Sequence, residues 1–204
     1  MVMWNERYNV PEFVFGTEPN VFLQQQAYRL TPGQRVLAVA DGEGRNGVWL
    51  AQQGLSVLSI DSSDVAQVKA RKFARERGVE VDFECADLLA WRWSENEFDA
   101  VAGIFFQFVG PAGRQLMFDG IKKTLKPGGL LLLQGYTPRQ LEYKTGGPPV
   151  AENMYTQSLL KEQFGDWEIL HLSEHDEHIS EGKQHHGMSA LIDMVARKPS
   201  NSSS

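Results

Sequence analysis

Three glycine and acid signals fall within about fifty residues. The run Ala40-Asp41-Gly42-Glu43-Gly44-Arg45-Asn46 places Gly42 and Gly44 in a tight turn, Asp61 follows, and Ala86-Asp87-Leu88 comes next. Glycines let the chain turn sharply and let a ligand approach the main chain. A helix opening behind such a turn presents free N–H groups. A carboxylate ending the following strand can accept both hydroxyls of a ribose, at roughly 1.5–3 kcal/mol per hydrogen bond. The separation of Gly42 and Asp61 is close to the ~20 residues that such sites need. The chemistry suggested is capture of a nucleotide-type ligand.

These residues must be held by strand, turn, helix and strand. Arg35 to Ala40 is a short apolar run with β-branched members, read as a buried strand. Val48, Ala51 and Leu55 form one apolar helical stripe, closed at Gly54. Leu55 to Ile60 is the second strand. Ser62 or Ser63 can cap a second helix with the stripe Ala66, Ala70, Phe73 and Ala74, ended by Gly78. Val79 to Cys85 reads as a third strand, with Cys85 as a buried small hydrophobe. Phe98 to Phe106 reads as a fourth. Pro111 opens the next helix, which Lys126-Pro127-Gly128-Gly129 breaks, and Leu130 to Tyr136 is an apolar fifth strand.

This alternation argues a doubly wound α/β fold with a mostly parallel sheet, whose ligands sit beyond the carboxyl ends of the strands. Residues 1–33 read as an N-terminal cover and helix: Trp4, Tyr8, Phe13 and Phe15 precede Asn20, which can cap a helix from Val21 to about Leu30. Residues 137–155 form a long loop and Thr156 caps a short helix. Trp167 to Glu174 and Met188 to Lys198 are the last two strands, and 200–204 is a disordered tail. The expectation is one domain over residues 1–199.

With these pieces in place, the chain resembles the class I S-adenosylmethionine-dependent methyltransferases. The resemblance rests on ADGEGRN with Asp61, then Ala86-Asp87-Leu88, Phe98-Asp99-Ala100-Val101 and Leu125-Lys126-Pro127-Gly128-Gly129, over residues 36–136. The N-terminal WNERY and FGTEPNVFL and the Gly44-Arg45-Asn46 turn are similar to the tellurite-resistance and thiopurine methyltransferase group. The resemblance implies a seven-stranded Rossmann-like sheet with an antiparallel last strand, and S-adenosylmethionine as cofactor. It implies Asp61 and Ser62 at the ribose, Ala86, Asp87 and Leu88 at the adenine, and Ile104 beside the cofactor. Ala40, Asp41, Gly42, Gly44, Arg45 and Asn46 would face its amino-acid portion, with Gly16 and Thr17 closing from the N-terminal segment. Two departures stand out: Ala38 replaces an acidic residue common in the family, and Ala40 replaces a glycine.

Methyl transfer from a sulfonium needs alignment more than acid–base catalysis, so no catalytic residue is assigned. Tyr143, His185 and His186 are the candidates. All five histidines fall between His171 and His186, with a spacing that matches no zinc pattern. The segment reads as a hydrated connection between the last two strands, with no metal. The expected partner is a small-molecule acceptor, such as a sulfur, selenium, tellurium or heteroaromatic compound.

A net charge of −6 and a pI near 5.4 argue against nucleic acid. A single cysteine rules out an intrachain disulfide and suits the cytoplasm. The first residues carry charges where a signal peptide would be apolar, and no run approaches a membrane span. Gly42-x-Gly44-x-x-Gly47 also matches the dinucleotide fingerprint, so an NAD(P)-binding oxidoreductase is the rival reading. It lacks the Tyr-x-x-x-Lys pair of a short-chain dehydrogenase, and it leaves Asp87 and the LKPGG turn without a role. A methyltransferase-like module that only binds is a third reading.

Overall fold

The computed structural model describes residues 2–200. Helix α1 (Val2–Tyr8) and α2 (Val21–Gln26) precede β1 (Arg35–Val39), α3 (Arg45–Gln52), β2 (Ser56–Asp61), α4 (Asp64–Glu76) and β3 (Asp82–Cys85). Then come β4 (Phe98–Ile104), α5 (Pro111–Thr124), β5 (Leu125–Tyr136), α6 (Gln140–Tyr143), α7 (Gln157–Phe164), β6 (Glu168–Glu181) and β7 (His185–Arg197). The seven strands form one sheet in the order β3-β2-β1-β4-β5-β7-β6. All neighbours are parallel up to β5, and β7 runs antiparallel to both β5 and β6. The expected α/β sheet with its antiparallel last strand is the one observed.

Strand alternation explains the two-sided core. Leu37 and Val39 point to one face, packing with Phe98, Met117, Phe118 and Ile121. Val36 and Ala38 point to the other, with Phe22, Leu23, Leu50 and Leu55. The N-caps act as read: Asn20 Oδ1 accepts from Leu23 N, Ser63 Oγ from Ala66 N and Thr156 Oγ1 from Leu159 N. Chain order reverses between β1 and β4, so the crevice beyond their carboxyl ends is the fold's natural ligand site.

Several boundaries differ from the sequence expectation. The aromatic N-terminus is partly helical, as α1. The helix from Asn20 stops at Gln26 and continues as a 3-10 turn, Ala27–Arg29. Strand β3 is only four residues long because Val79 to Val81 make no ladder, and Cys85 at its end is exposed rather than buried. Lys126 to Gly129 does not separate helix from strand. It is built into β5, where the ladder to β4 shifts register between Phe98 and Ala100. The 137–155 loop contains α6 and a 3-10 turn, Ala151–Asn153.

The largest difference lies in the last hairpin. Strands β6 and β7 pair from Glu168↔Arg197 out to Glu181↔His185. The polar stretch read as a connection is therefore strand, and all five histidines lie on β6 or β7. Its alternating charged residues mask the period-2 signal, because one face of an edge strand can be polar along its whole length. Residues 201–204, most of the expected tail, lie outside the described residues.

Candidate functional site

The turn after β1 is shaped by three left-handed residues, Ala40 (φ +50°), Gly42 (φ +56°) and Gly44 (φ +84°). It is held by acids on either side. Asp61 Oδ2 accepts from Gly42 N at 2.8 Å and Oδ1 from Ser63 N at 2.9 Å, which locks the end of β2 to the turn. An ionised carboxylate has about four acceptor positions, so acceptor capacity remains for a ligand. Burial raises the Asp61 pKa, while the backbone N–H groups of Ser63, Gly42 and Ser62 oppose the rise. Asp41 faces inward: Oδ2 accepts from Ser59 Oγ at 2.7 Å and Oδ1 from Gly47 N at 3.2 Å. Burial pushes its pKa up to about 7, against the lowering effect of those two bonds.

The N-terminal cover is tied directly to this turn. Glu43 accepts from Val14 N at 2.7 Å and pairs with Lys69, which also donates to the carbonyls of Tyr8, Val10 and Glu12. Tyr8 is buried, and a Cβ on Gly42 would lie 2.6 Å from its hydroxyl. Glycine at 42 is thus required twice, by its φ and by the phenol above it.

A cavity of about 350 Å³ opens at the carboxyl ends of β1, β2 and β4. Of the residues singled out from sequence, Gly16, Ala40, Asp41, Gly42, Arg45, Asn46, Asp61, Ser62, Ala86, Asp87, Leu88, Ile104 and His185 line it. Gly44 and Thr17 are not among the lining residues; Gly44 instead packs on Ala70, which a Cβ would meet at 2.9 Å. Arg45 and Asn46 line the cavity but direct their polar groups at the scaffold. Arg45 Nη2 donates to Glu181 at 2.6 Å, and Asn46 Oδ1 accepts from Asn20 N at 2.9 Å. Glu181 and Asn20 continue this buried chain through Gln134 to Asp193 and His175. The turn, the N-terminal segment and the last hairpin are one bonded unit.

The other half of the cavity is aromatic. Phe105 stacks on Tyr136 with ring centroids 4.7 Å apart, and His185 sits 4.6 Å from Phe15 and 4.7 Å from Phe105. Phe108, Pro148 and Pro149 continue this wall. His186 points elsewhere, onto His178 at 5.3 Å. Tyr143 is outside the cavity, with its hydroxyl donating to Asp176 at 2.7 Å. Trp4 and Tyr136 line the cavity, as the reading of the aromatic cover and of a polar Tyr136 in the pocket expects, and Arg7, which no sequence signal singles out, lines it too. Among the described residues no group of three or more His, Cys, Asp or Glu side chains could hold a metal ion. No helix among them is long and apolar enough to cross a membrane.

Residues 36–129 match the model of the methyltransferase-domain family. The chain is 34% identical over 105 residues to an uncharacterized methyltransferase of Synechocystis, covering 51% of this chain and 48% of that one. It is 31% identical over 130 residues to a demethylmenaquinone methyltransferase of Renibacterium salmoninarum, covering 64% and 50%. The chain spans about half the length of these relatives. Among solved structures, a protein from work on the conversion of a disulfide bond into a thioacetal group during echinomycin biosynthesis superposes with a TM-score of 0.79 at 19% identity, over 99% of this chain and 93% of the other. A SAM-dependent methyltransferase from Methanosarcina mazei gives 0.72 at 17% identity, over 90% and 100%. The fold is that of the class I methyltransferases. TehB from Haemophilus influenzae shares this methyltransferase fold with a TM-score of 0.72 at 19% identity, over 96% of this chain and 65% of that one.

Set in the methyltransferase fold, the departure at Ala40 acquires physical meaning. Ala40 keeps the left-handed conformation of the glycine it replaces, at a cost of roughly 1–2 kcal/mol for an L-residue. Ala40→Gly should therefore stabilise the protein by about 0.5–1 kcal/mol, after the extra entropy of glycine in the unfolded chain. Urea unfolding of both proteins checks this, and a destabilised variant would contradict it. Asp41 occupies the space behind the turn, against Ser59 and the Gly47 amide. Asp41 braces the turn through Ser59 and Gly47, and Glu43 braces it through Val14 and Lys69.

Proposed function

We propose that this protein transfers the methyl group of S-adenosylmethionine to a small-molecule acceptor. The observation that carries the reading is the Asp61–Gly42 bond, which sets a carboxylate with spare acceptor positions beside a glycine turn at the head of the β1/β4 crevice. The methyltransferase-domain match over residues 36–129 supports it. The residues present fit this cofactor. Asp61 would hold the ribose hydroxyls, Asp87 the adenine amino group, and Leu88 and Ile104 the faces of the ring and tail. Asp87 Oδ1 accepts from Leu89 N at 3.0 Å, which turns the side chain's position into a fixed one. The cavity-lining backbone of Ala40 and Gly42 would meet the amino-acid portion. Gly16, Trp4 and Arg7 would close over it from the N-terminal cover.

When bound, the cofactor supplies a methyl carbon already activated by a sulfonium. The protein's contribution is then orientation, on the order of 7–11 kcal/mol of the barrier, and exclusion of water by the aromatic cover. Aromatic rings facing a cation add about 0.5–2 kcal/mol each; Tyr8, Phe15 and Phe105 are the candidates. We assign the acceptor to the aromatic half of the cavity and the protein to the cytoplasm, with affinities to the tellurite-resistance and thiopurine group. The dinucleotide reading is less well supported, because no described lysine lines the cavity beside a tyrosine. The test is S-adenosylhomocysteine formation when the protein is incubated with S-adenosylmethionine and panels of thiols, phenols and N-heterocycles. Turnover above background with one class is expected. Tight cofactor binding with no turnover on any class would instead favour a binding module.

A further inference from the structure

Lys69 does not line the cavity, yet its ammonium group is where the N-terminal cover meets the glycine turn. From α4 it donates to the carbonyls of Glu12 at 2.7 Å, Val10 at 3.0 Å and Tyr8 at 3.3 Å, and it pairs with Glu43. The Phe13 ring centre lies 5.4 Å away. Glu43 is buried, and its other oxygen accepts from Val14 N at 2.7 Å. One ion pair thus grips residues 8–14 from both sides, the cation on three carbonyls and the anion on an amide. We infer that Lys69 is the positioning residue of the cover: paired with Glu43, it holds the cover shut over the cofactor half and so sets how long the cofactor stays bound. This rests on the methyltransferase reading and deepens it.

Three observations carry the role. The first is that Asn9 to Gly16 forms neither helix nor strand. Its other main-chain bonds run from Asn9 N to Glu6 O, Val10 N to Tyr8 O, Gly16 N to Phe13 O and Lys183 N to Val14 O. Among the described residues, Lys69 and Glu43 are the side chains that bond to the backbone of residues 8–14. The second is position. The gripped stretch has cavity-lining residues at both ends, Trp4, Arg7 and Tyr8 before it and Phe15 and Gly16 after it. Lys69 holds the Tyr8 carbonyl while the Tyr8 phenol covers Gly42, so releasing the first frees the second. The third is shielding. The Lys69 side chain is 16% exposed and that of Glu43 3%. The remaining side-chain ties of the cover, Asn5 to Asp64 and Arg7 to Gln184, are exposed, where water replaces them readily. Charge-assisted bonds kept from water are the stronger fixture.

The test times the release of labelled S-adenosylhomocysteine after excess unlabelled ligand is added, with deuterium exchange of the free and bound protein followed in parallel. Lys69→Met alone would strand the buried Glu43 charge. The informative variant therefore combines Lys69→Met with Glu43→Gln, whose amide oxygen still accepts from Val14 N. Release from this double variant should be about ten- to hundredfold faster, the range that losing charge-assisted bonds implies. The association rate should change little, because the loss falls on dissociation. Exchange should rise in residues 3–16 and stay the same in β1, β4 and β5. Lys69→Arg keeps the charge and its donors and should recover most of the slow release. Unchanged release would overturn the inference. So would exchange that rises throughout the core strands rather than in the cover, which marks a merely structural role. Should S-adenosylhomocysteine fail to bind the unaltered protein, the cofactor reading falls, while exchange in residues 3–16 of the free variants still decides whether Lys69 holds the cover.

Discussion

Asp61→Ala raises the dissociation constant for S-adenosylhomocysteine by at least about 100-fold. Two ribose hydroxyls donating to one charged carboxylate are together worth roughly 3–6 kcal/mol. The substitution also frees Gly42 N and Ser63 N, which the carboxylate now holds at 2.8 and 2.9 Å, so the turn loses its anchor to β2. Asp61→Asn separates the two effects. It keeps an oxygen for one of the amides but loses the charge, and should give an intermediate loss of affinity with the fold intact. Calorimetric titration of both variants, with circular dichroism to confirm folding, decides the matter. Unchanged affinity in the alanine variant would refute the ribose role.

Asp41→Asn increases stability at pH 8 by about 2–4 kcal/mol and leaves it nearly unchanged at pH 4. The folded-state pKa of Asp41 lies near 7, above the ordinary carboxylate value of 3.8, because burial penalises the charge more than Ser59 and Gly47 favour it. Between about pH 4 and pH 7 the folded protein keeps a proton that the unfolded chain gives up. Unfolding therefore releases a proton, and stability falls as pH rises through that window, then levels off above it. Asparagine is neutral throughout. Its oxygen can accept from Gly47 N and its amide can donate to Ser59 Oγ, so the bracing is kept. Urea unfolding at pH 4, 6 and 8 checks the prediction. Parallel pH profiles for the two proteins would contradict it.

The turn and its acids were legible in the sequence because each residue there is forced by local geometry. Gly42 and Gly44 are required by positive φ, Asp61 by its distance from Gly42, and Ser63 and Asn20 by helix ends without donors' partners. The mostly parallel, doubly wound sheet followed from the alternation of strands and helices. What escaped were contacts made across long sequence distances. Nothing near Arg45 in sequence announces its pairing with Glu181, and nothing near Tyr8 announces that its phenol covers Gly42. Strand β6 was read short because its polar face hides the alternation, and this moved His185 from a strand into a supposed loop. Cys85 was misjudged for a related reason. An apolar neighbourhood suggests burial, but β3 is the sheet's edge and pairs only with β2.

The most direct measurement is isothermal titration of the purified protein with S-adenosylhomocysteine, with NADH in parallel. The predicted result is micromolar binding of S-adenosylhomocysteine and none of NADH. Binding of NADH alone would mean that the Gly42-x-Gly44-x-x-Gly47 turn serves a redox cofactor, and binding of neither would mean that the site has lost its nucleotide ligand; either result contradicts the methyl-transfer account.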